Sequence, residues 1–248
     1  MQTKDFDEAE LWARELYGSP HFLQFWFPRS HFSGAERGEN WMSATRSDGD
    51  AIYGMAVGKD ARPRPEWTHF SISRFADQSL IDGEIFEQDG EWDAFVIETQ
   101  GFSHIPEMEN LSSDLESVAQ FLEENFPDAS TKADSEEVLS WCALRDKNQK
   151  LVGIGALSEW ESGGLAAQSI TVARDERGKG YGRTLVEGMI ATGYHLGHES
   201  LCLGVWFHNQ TAKKLYESLG FIRVDSFLHY SQREDVVRRR NRPSRQSE

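Results

Sequence analysis

From about Ser112 onward the apolar residues fall into short blocks whose spacing defines successive elements. Leu115, Val118, Leu122 and Phe126 recur at helical intervals behind a Ser113/Glu116 capping box, which predicts a helix running to Pro127. The acidic stretch Asp128–Glu137 reads as a loop. Leu139–Arg145 and Leu151–Leu157 are strand-like and flank Asp146–Lys150, a hairpin. Ala166–Val172 is a further strand, followed by a glycine-rich turn and a helix to about Leu196 that Gly197 stops. Ser200–Val205 predicts a strand, Asn209–Leu219 a helix, and Phe221–Tyr230 one or two closing strands.

Residues 1–110 are less regular. Asp7–Tyr17 has helical periodicity. Trp41–Arg46 and Ile52–Val57 flank Ser47-Asp48-Gly49-Asp50, and Glu84–Phe86 and Trp92–Thr99 flank Gln88-Asp89-Gly90-Glu91, so two hairpins are expected. Five of the eight tryptophans (Trp12, Trp26, Trp41, Trp67 and Trp92) lie here, enough bulk for a separate core. The aromatic run His21–Phe27 is read first as core, with a substrate cleft or partner surface as the alternative.

Composition narrows the partners. The 248 residues have room for one large or two small domains, and 38% hydrophobic with 27% charged is ordinary for a globular chain. A net charge of −15 disfavours nucleic acid and anionic membrane and favours a cationic substrate. Met1–Glu10 is acidic and has no apolar signal-peptide core, and no apolar run reaches membrane-spanning length, so a cytoplasmic protein is expected. Cys142 and Cys202, both in strand-like segments, read as buried free thiols. No metal is expected: His195 and His198 lack matching ligands and read as solvated. The tail from residue 233, with Arg238-Arg239-Arg240, is basic and expected to be disordered.

The candidate chemistry begins at Arg177-Gly178-Lys179-Gly180-Tyr181-Gly182, between the strand and the helix that follows it. Glycines admit close backbone approach, and the free N–H groups and dipole of a helix N-terminus attract phosphate. A dinucleotide loop would need a third glycine where Arg183 stands, and the spacing of a P-loop is absent. The pattern that fits is R-x-x-G-x-G. Downstream, Asn209 through Phe221 reads N-x-x-A-x-x-L-Y-x-x-x-G-F, with Asn209 as N-cap and Gly220 as a left-handed stop.

These two segments, in this order, resemble the GNAT N-acetyltransferase superfamily over roughly the last half of the chain. The resemblance implies an α/β (α+β) fold, with a mixed, mostly antiparallel central sheet flanked by helices. It divides the chain into 1–110, an N-terminal α/β region readable as a degenerate GNAT-like half, 111–232, the acetyltransferase domain, and the tail 233–248. It also implies acetyl-CoA as cosubstrate, held by Ile170, Thr171, Val172, Arg177, Gly178, Lys179, Gly180, Tyr181, Gly182, Arg183, Thr184, Asn209, Ala212 and Tyr216. The backbone of the strand Ile170–Val172 would polarise the thioester carbonyl. The implied acceptor is an amine, which at pH 7 is neutral in only about one molecule in 10³ and must lose a proton. The family places a carboxylate base on this strand, where the chain has Gln168; Glu159 and Glu161 are the nearest substitutes. Tyr216 is implied as the acid that serves the leaving thiolate. Two other readings stay open: a non-catalytic acetyl-CoA-binding module, and a protein acetyltransferase targeted by its N-terminal region. Homodimers are frequent in the family.

Overall fold

The computed structural model describes residues 1–17, 21–105, 108–159 and 163–233. Its contacts divide the chain into two units, one of residues 1–23, 29–92 and 225–248, the other of 24–28 and 93–224. Residues 93–110, which the sequence pattern grouped with the N-terminal region, pack in the second unit.

The first unit contains β1 (Gln2–Thr3), α1 (Phe6–Tyr17), β2 (Phe32–Arg37), β3 (Trp41–Asp48), β4 (Ala51–Gly58) and β5 (His69–Ser73); α2 (His21–Trp26) is divided between the units. β1 through β4 pair antiparallel in sequence order, and β4 pairs parallel with β5. The Ser47–Asp50 turn forms as expected, tightened to Gly49-Asp50 with Gly49 at φ 58°. Residues 59–68 carry the chain from β4 to β5 without a helix. Trp67 of this connection lies flat against Gly54, where a Cβ would approach the indole to 2.0 Å. Its indole N–H donates to Thr45 Oγ1 at 2.9 Å, and Phe70, Ile72 and Phe86 complete a buried cluster around it.

The second predicted hairpin does not form. Phe86–Glu98 is a single strand, β6, running straight through Asp89-Gly90. The two-residue turn that favours Asp-Gly needs positive φ, and Gly90 does not adopt it. Residues 86–92 of β6 belong to the first unit and 93–98 to the second.

The second unit continues with β7 (Glu109–Asn110), α3 (Leu115–Asn125), β8 (Val138–Arg145), β9 (Leu151–Glu159), β10 (Leu165–Val172), α4 (Tyr181–His195), β11 (Ser200–Trp206) and α5 (Gln210–Leu219). β12 (Ile222–Gln232) is divided at Asp225, and its larger part belongs to the first unit, where Phe227–Ser231 pairs antiparallel with β5. α3 starts one residue later than the capping box predicted. Asp114, not Ser113, is the N-cap, and its Oδ1 accepts from the Ser117 N–H at 3.2 Å. The Ser117 bonds hold the Asp114 carboxyl below its ordinary pKa.

β7, β8, β9 and β10 pair antiparallel in sequence order, and β10 pairs parallel with β11. This repeats the pairing order of the first unit, with α4 inserted where the first unit has only residues 59–68. Alternation on β9 sorts the layers. Ile154 and Ala156 join Val118, Phe121, Leu122 and Trp141 on the α3 face. Gly153 and Gly155 face Leu185 and Met189 of α4, and a Cβ at Gly155 would come within 2.5 Å of Met189 Sδ. Mixed α/β architecture, with a mostly antiparallel sheet between helices, is therefore what the sequence builds.

Cys142 and Cys202 are buried free thiols. Burial pushes the Cys142 thiol up to about 11 and Cys202 well above its ordinary range. Both folded-state pKa values exceed the unfolded ones, so this stabilisation is complete below the unfolded pKa and lost as pH rises through the folded one. Cys142 alone removes on the order of 1 kcal/mol between neutral pH and pH 10. Urea unfolding at pH 7 and pH 10 measures it, and Cys142→Ala abolishes that part of the difference.

Candidate functional site

The glycine turn lies between the end of β10 and α4, after a turn of 3₁₀ helix at Arg174–Glu176. Gly178 and Gly180 adopt φ 78° and 89°, a left-handed conformation that costs other residues energy. Gly180 is the N-cap of α4, and its carbonyl accepts from Arg183 and Thr184 at 3.0 and 3.3 Å. The backbone N–H groups of residues 177–182 donate to no acceptor among the described residues. All six residues are exposed or half-buried, so these donors and the helix dipole are open to an anion.

The basic side chains of the turn are otherwise engaged. Arg177 donates to the Val172 carbonyl at 3.1 Å and to the Asn125 carbonyl at 3.3 Å, tying the turn to β10 and to the C-terminus of α3. Lys179 pairs with Glu176 at 2.8 Å, and Arg183 pairs with Glu187 and donates to Ser218. The cradle is therefore backbone, with the cations around it acting as braces.

β10 contains a bulge beside the cradle. Gln168 pairs with Ala156 and Thr171 with Ile154, so Ser169 and Ile170 together stand opposite Gly155. On the other edge β10 pairs with β11 at one position, Ala166 opposite Cys202. Beyond it no ladder pair joins Gln168–Val172 to β11 among the described residues, which leaves a wedge between two parallel strands. The matching β4–β5 ladder of the first unit is closed over four consecutive pairs, Tyr53–His69 through Ala56–Ile72.

α5 borders this wedge. A Cβ on Gly182 would sit 3.6 Å from Leu215 Cδ2 and 4.0 Å from Val172 Cγ2, so cradle, strand end and α5 converge. Asn209 caps α5, its Oδ1 accepting from the Ala212 N–H at 3.1 Å, and Gly220 ends it at φ 96°. Tyr216 is buried between Phe95 and Phe221, with centroids at 6.2 and 5.5 Å. Burial pushes its hydroxyl up to about 12. No hydrogen bond to that hydroxyl forms among the described residues.

One turn before Tyr216, the buried Lys213 forms an ion pair with the fully buried Asp93 of β6, and its ammonium lies 4.2 Å from the Phe207 ring centroid. A link across 120 positions leaves no trace in local patterning.

Of the two substitute bases, Glu159 is not brought to the bulge. It lies opposite Leu165, four residues before Ser169, a separation of about 13 Å along the strand. Its Oε1 lies 3.8 Å from His198 Nε2, and that imidazole is 14% exposed, so His198 is packed rather than solvated. Glu161 lies outside the described residues, as do Phe22, Phe25 and His21 of the aromatic run as side chains. Leu23 and Phe27 of that run are buried, and Trp26 packs against Ala166 and Cys202. Gln168 is itself engaged, its Oε1 accepting from Thr131 Oγ1 at 2.8 Å. Among the described residues no cluster of His, Cys, Asp and Glu is arranged to hold a metal ion, and no helix is long and apolar enough to cross a membrane.

Residues 105–221 match the family model described as the acetyltransferase (GNAT) family. A curated relative, the uncharacterized N-acetyltransferase YycN of Bacillus subtilis, is 43% identical over 49 residues, 20% of this chain and 31% of that protein. The match thus spans about a third of the relative's length. Among solved structures, a GCN5-related N-acetyltransferase from Sphaerobacter thermophilus superposes with a TM-score of 0.54 at 14% identity, over 78% of this chain and 76% of that one. One from Kribbella flavida gives 0.52 at 10% identity, over 80% and 88%. At these identities the two structures speak to the fold.

Proposed function

Residues 105–221 form a domain of the GNAT acetyltransferase family, and on that premise we propose that the chain transfers an acetyl group from acetyl-CoA to an amine. The observation that carries the reading is the run of six unpaired N–H groups at residues 177–182, set at the mouth of the β10–β11 wedge. A pyrophosphate would accept from those donors, and an extended pantetheine arm fits a wedge lined by Ile170, Thr171 and Val172. The cosubstrate supplies an activated acyl group; the chain supplies position and polarity. Backbone at the bulge would polarise the carbonyl, Asn209 would lie beside the arm, and Tyr216 would face the sulfur. The net charge of −15 favours a cationic acceptor. The repeated strand order supports reading the first unit as a degenerate GNAT-like half, its ladder closed and its cradle helix absent.

Thiol release from acetyl-CoA, read across polyamines, aminoglycosides, amino acids and peptide N-termini, tests the proposal. Release with one class of amine supports it. Tight acetyl-CoA binding with no release from any amine would favour a second reading, a non-catalytic acyl-CoA binder. That reading is motivated by Gln168, which has no proton-accepting carboxylate and is held by Thr131.

Because Arg177 braces two carbonyls, Arg177→Ala is expected to act on stability. Loss of these bonds costs about 1–2 kcal/mol, measured as a lower Tm, while the KM for acetyl-CoA rises no more than about threefold, as for an exposed charge.

A further inference from the structure

Ser169 is one of two non-glycine residues with positive φ among the described residues, at 49°. The other, Gln149, sits in the hairpin turn between β8 and β9, where such a conformation is common. Ser169 is in the middle of a strand, within the bulge. Such a conformation persists when its surroundings over-determine it. Here the constraint comes from one residue of the acidic loop after α3. The Thr131 N–H donates to Ser169 Oγ at 3.3 Å, and Ser169 Oγ donates back to the Thr131 carbonyl at 3.2 Å. Thr131 Oγ1 also donates to Gln168 Oε1 at 2.8 Å. Thr131 is 3% exposed and Ser169 8%, so solvent does not compete for these bonds.

We propose that Thr131 and Ser169 are positioning residues, a clasp that fixes the β10 bulge so that its backbone N–H meets the acyl carbonyl of bound acetyl-CoA. The proposal rests on the acetyl-CoA reading. It also gives Gln168 a role: it is the second anchor of the clasp, occupying the position where a base would stand. The clasp acts on the carbonyl and not on the pyrophosphate, because the cradle at residues 177–182 is built separately.

Two variants divide the clasp. Ser169→Gly accepts the left-handed conformation without strain but loses both bonds to Thr131. Thr131→Val leaves β10 unchanged and removes only the bond to Gln168; Thr131→Ser is its conservative control. Calorimetric titration with CoA and with acetyl-CoA separates the carbonyl from the rest of the ligand. The wild type is expected to prefer acetyl-CoA by about fivefold, the worth of one amide hydrogen bond. Ser169→Gly loses that preference with Kd for CoA within about threefold of wild type, and its kcat falls about tenfold or more. Thr131→Val shows a smaller loss in the same direction and Thr131→Ser restores it. An acetyl-CoA preference kept in both variants, or CoA binding that falls in step with it, overturns the proposal. Amide exchange at Ile170 gives a reading free of ligand. Faster exchange in Thr131→Val, reversed in Thr131→Ser, supports the clasp, and unchanged exchange overturns it. A wild type that binds neither ligand refutes the acetyl-CoA reading instead, and the exchange rates still decide the clasp.

Discussion

Gly182→Asp is expected to raise the KM for acetyl-CoA by about 10²-fold or more while leaving Tm unchanged or higher. The two effects separate because one residue serves two interactions of opposite sign. A carboxylate in the first turn of α4 complements the helix dipole and favours the folded chain. The side chain has room, since a Cβ at this position meets Leu215 and Val172 at 3.6 and 4.0 Å, ordinary contact distances. The same carboxylate sits among the N–H donors of residues 177–182, where a pyrophosphate would bind. Two like charges about 4 Å apart near a protein surface repel by roughly 4 kcal/mol, and solvent screening leaves about 3 of these, a factor of 10². Gly182→Ala adds the methyl without the charge and should raise KM far less. KM for acetyl-CoA and a thermal melt on both variants check this; equal KM values for Gly182→Asp and wild type would remove the cradle from ligand binding.

Tyr216→Phe is expected to lower kcat by about 10², with acetyl-CoA affinity and Tm preserved. The hydroxyl makes no hydrogen bond among the described residues, so its loss leaves no buried partner stranded. Burial pushes this hydroxyl up to about 12, so it stays protonated throughout the working range. A thiolate with an ordinary pKa near ~8.5 is too weak a base to take that proton completely. In the proposed transfer Tyr216 would therefore stabilise the departing sulfur as a hydrogen-bond donor, a narrower part than that of a full proton donor. It follows that Tyr216 gives kcat no alkaline limb below about pH 11. Steady-state kinetics from pH 6 to pH 10 with a validated acceptor measures both points. An unchanged kcat in Tyr216→Phe would reduce the residue to core packing.

The second half of the chain was legible because its elements carry their own punctuation. Asn209 caps α5, Gly220 and Gly197 end their helices at φ 96° and 94°, and Gly178 and Gly180 of the cradle adopt the left-handed region. What local patterns could not supply are features set by distant partners. Asp89-Gly90 has the composition of a turn but lies within the long strand β6, because pairing partners override turn preference. Asp93 and Lys213 form their ion pair across 120 positions, and Thr131 reaches Gln168 across 37. The role of Arg177 was equally hidden. Its place in the motif suggests a charge for a phosphate, whereas its guanidinium braces the Val172 and Asn125 carbonyls. Local chemistry gave the backbone of the site, and side-chain partnerships needed the fold.

Among the described residues one parallel strand pair opens into a wedge: β10 and β11 part after Ala166–Cys202, whereas β4 and β5 stay paired and carry no cradle helix. Calorimetric titration with acetyl-CoA, repeated in excess inorganic pyrophosphate, tests this most directly. The expected result is one molecule bound per chain, weakened by pyrophosphate and lost in Gly182→Asp. Absence of binding, two molecules per chain, or affinity indifferent to Gly182→Asp would contradict it.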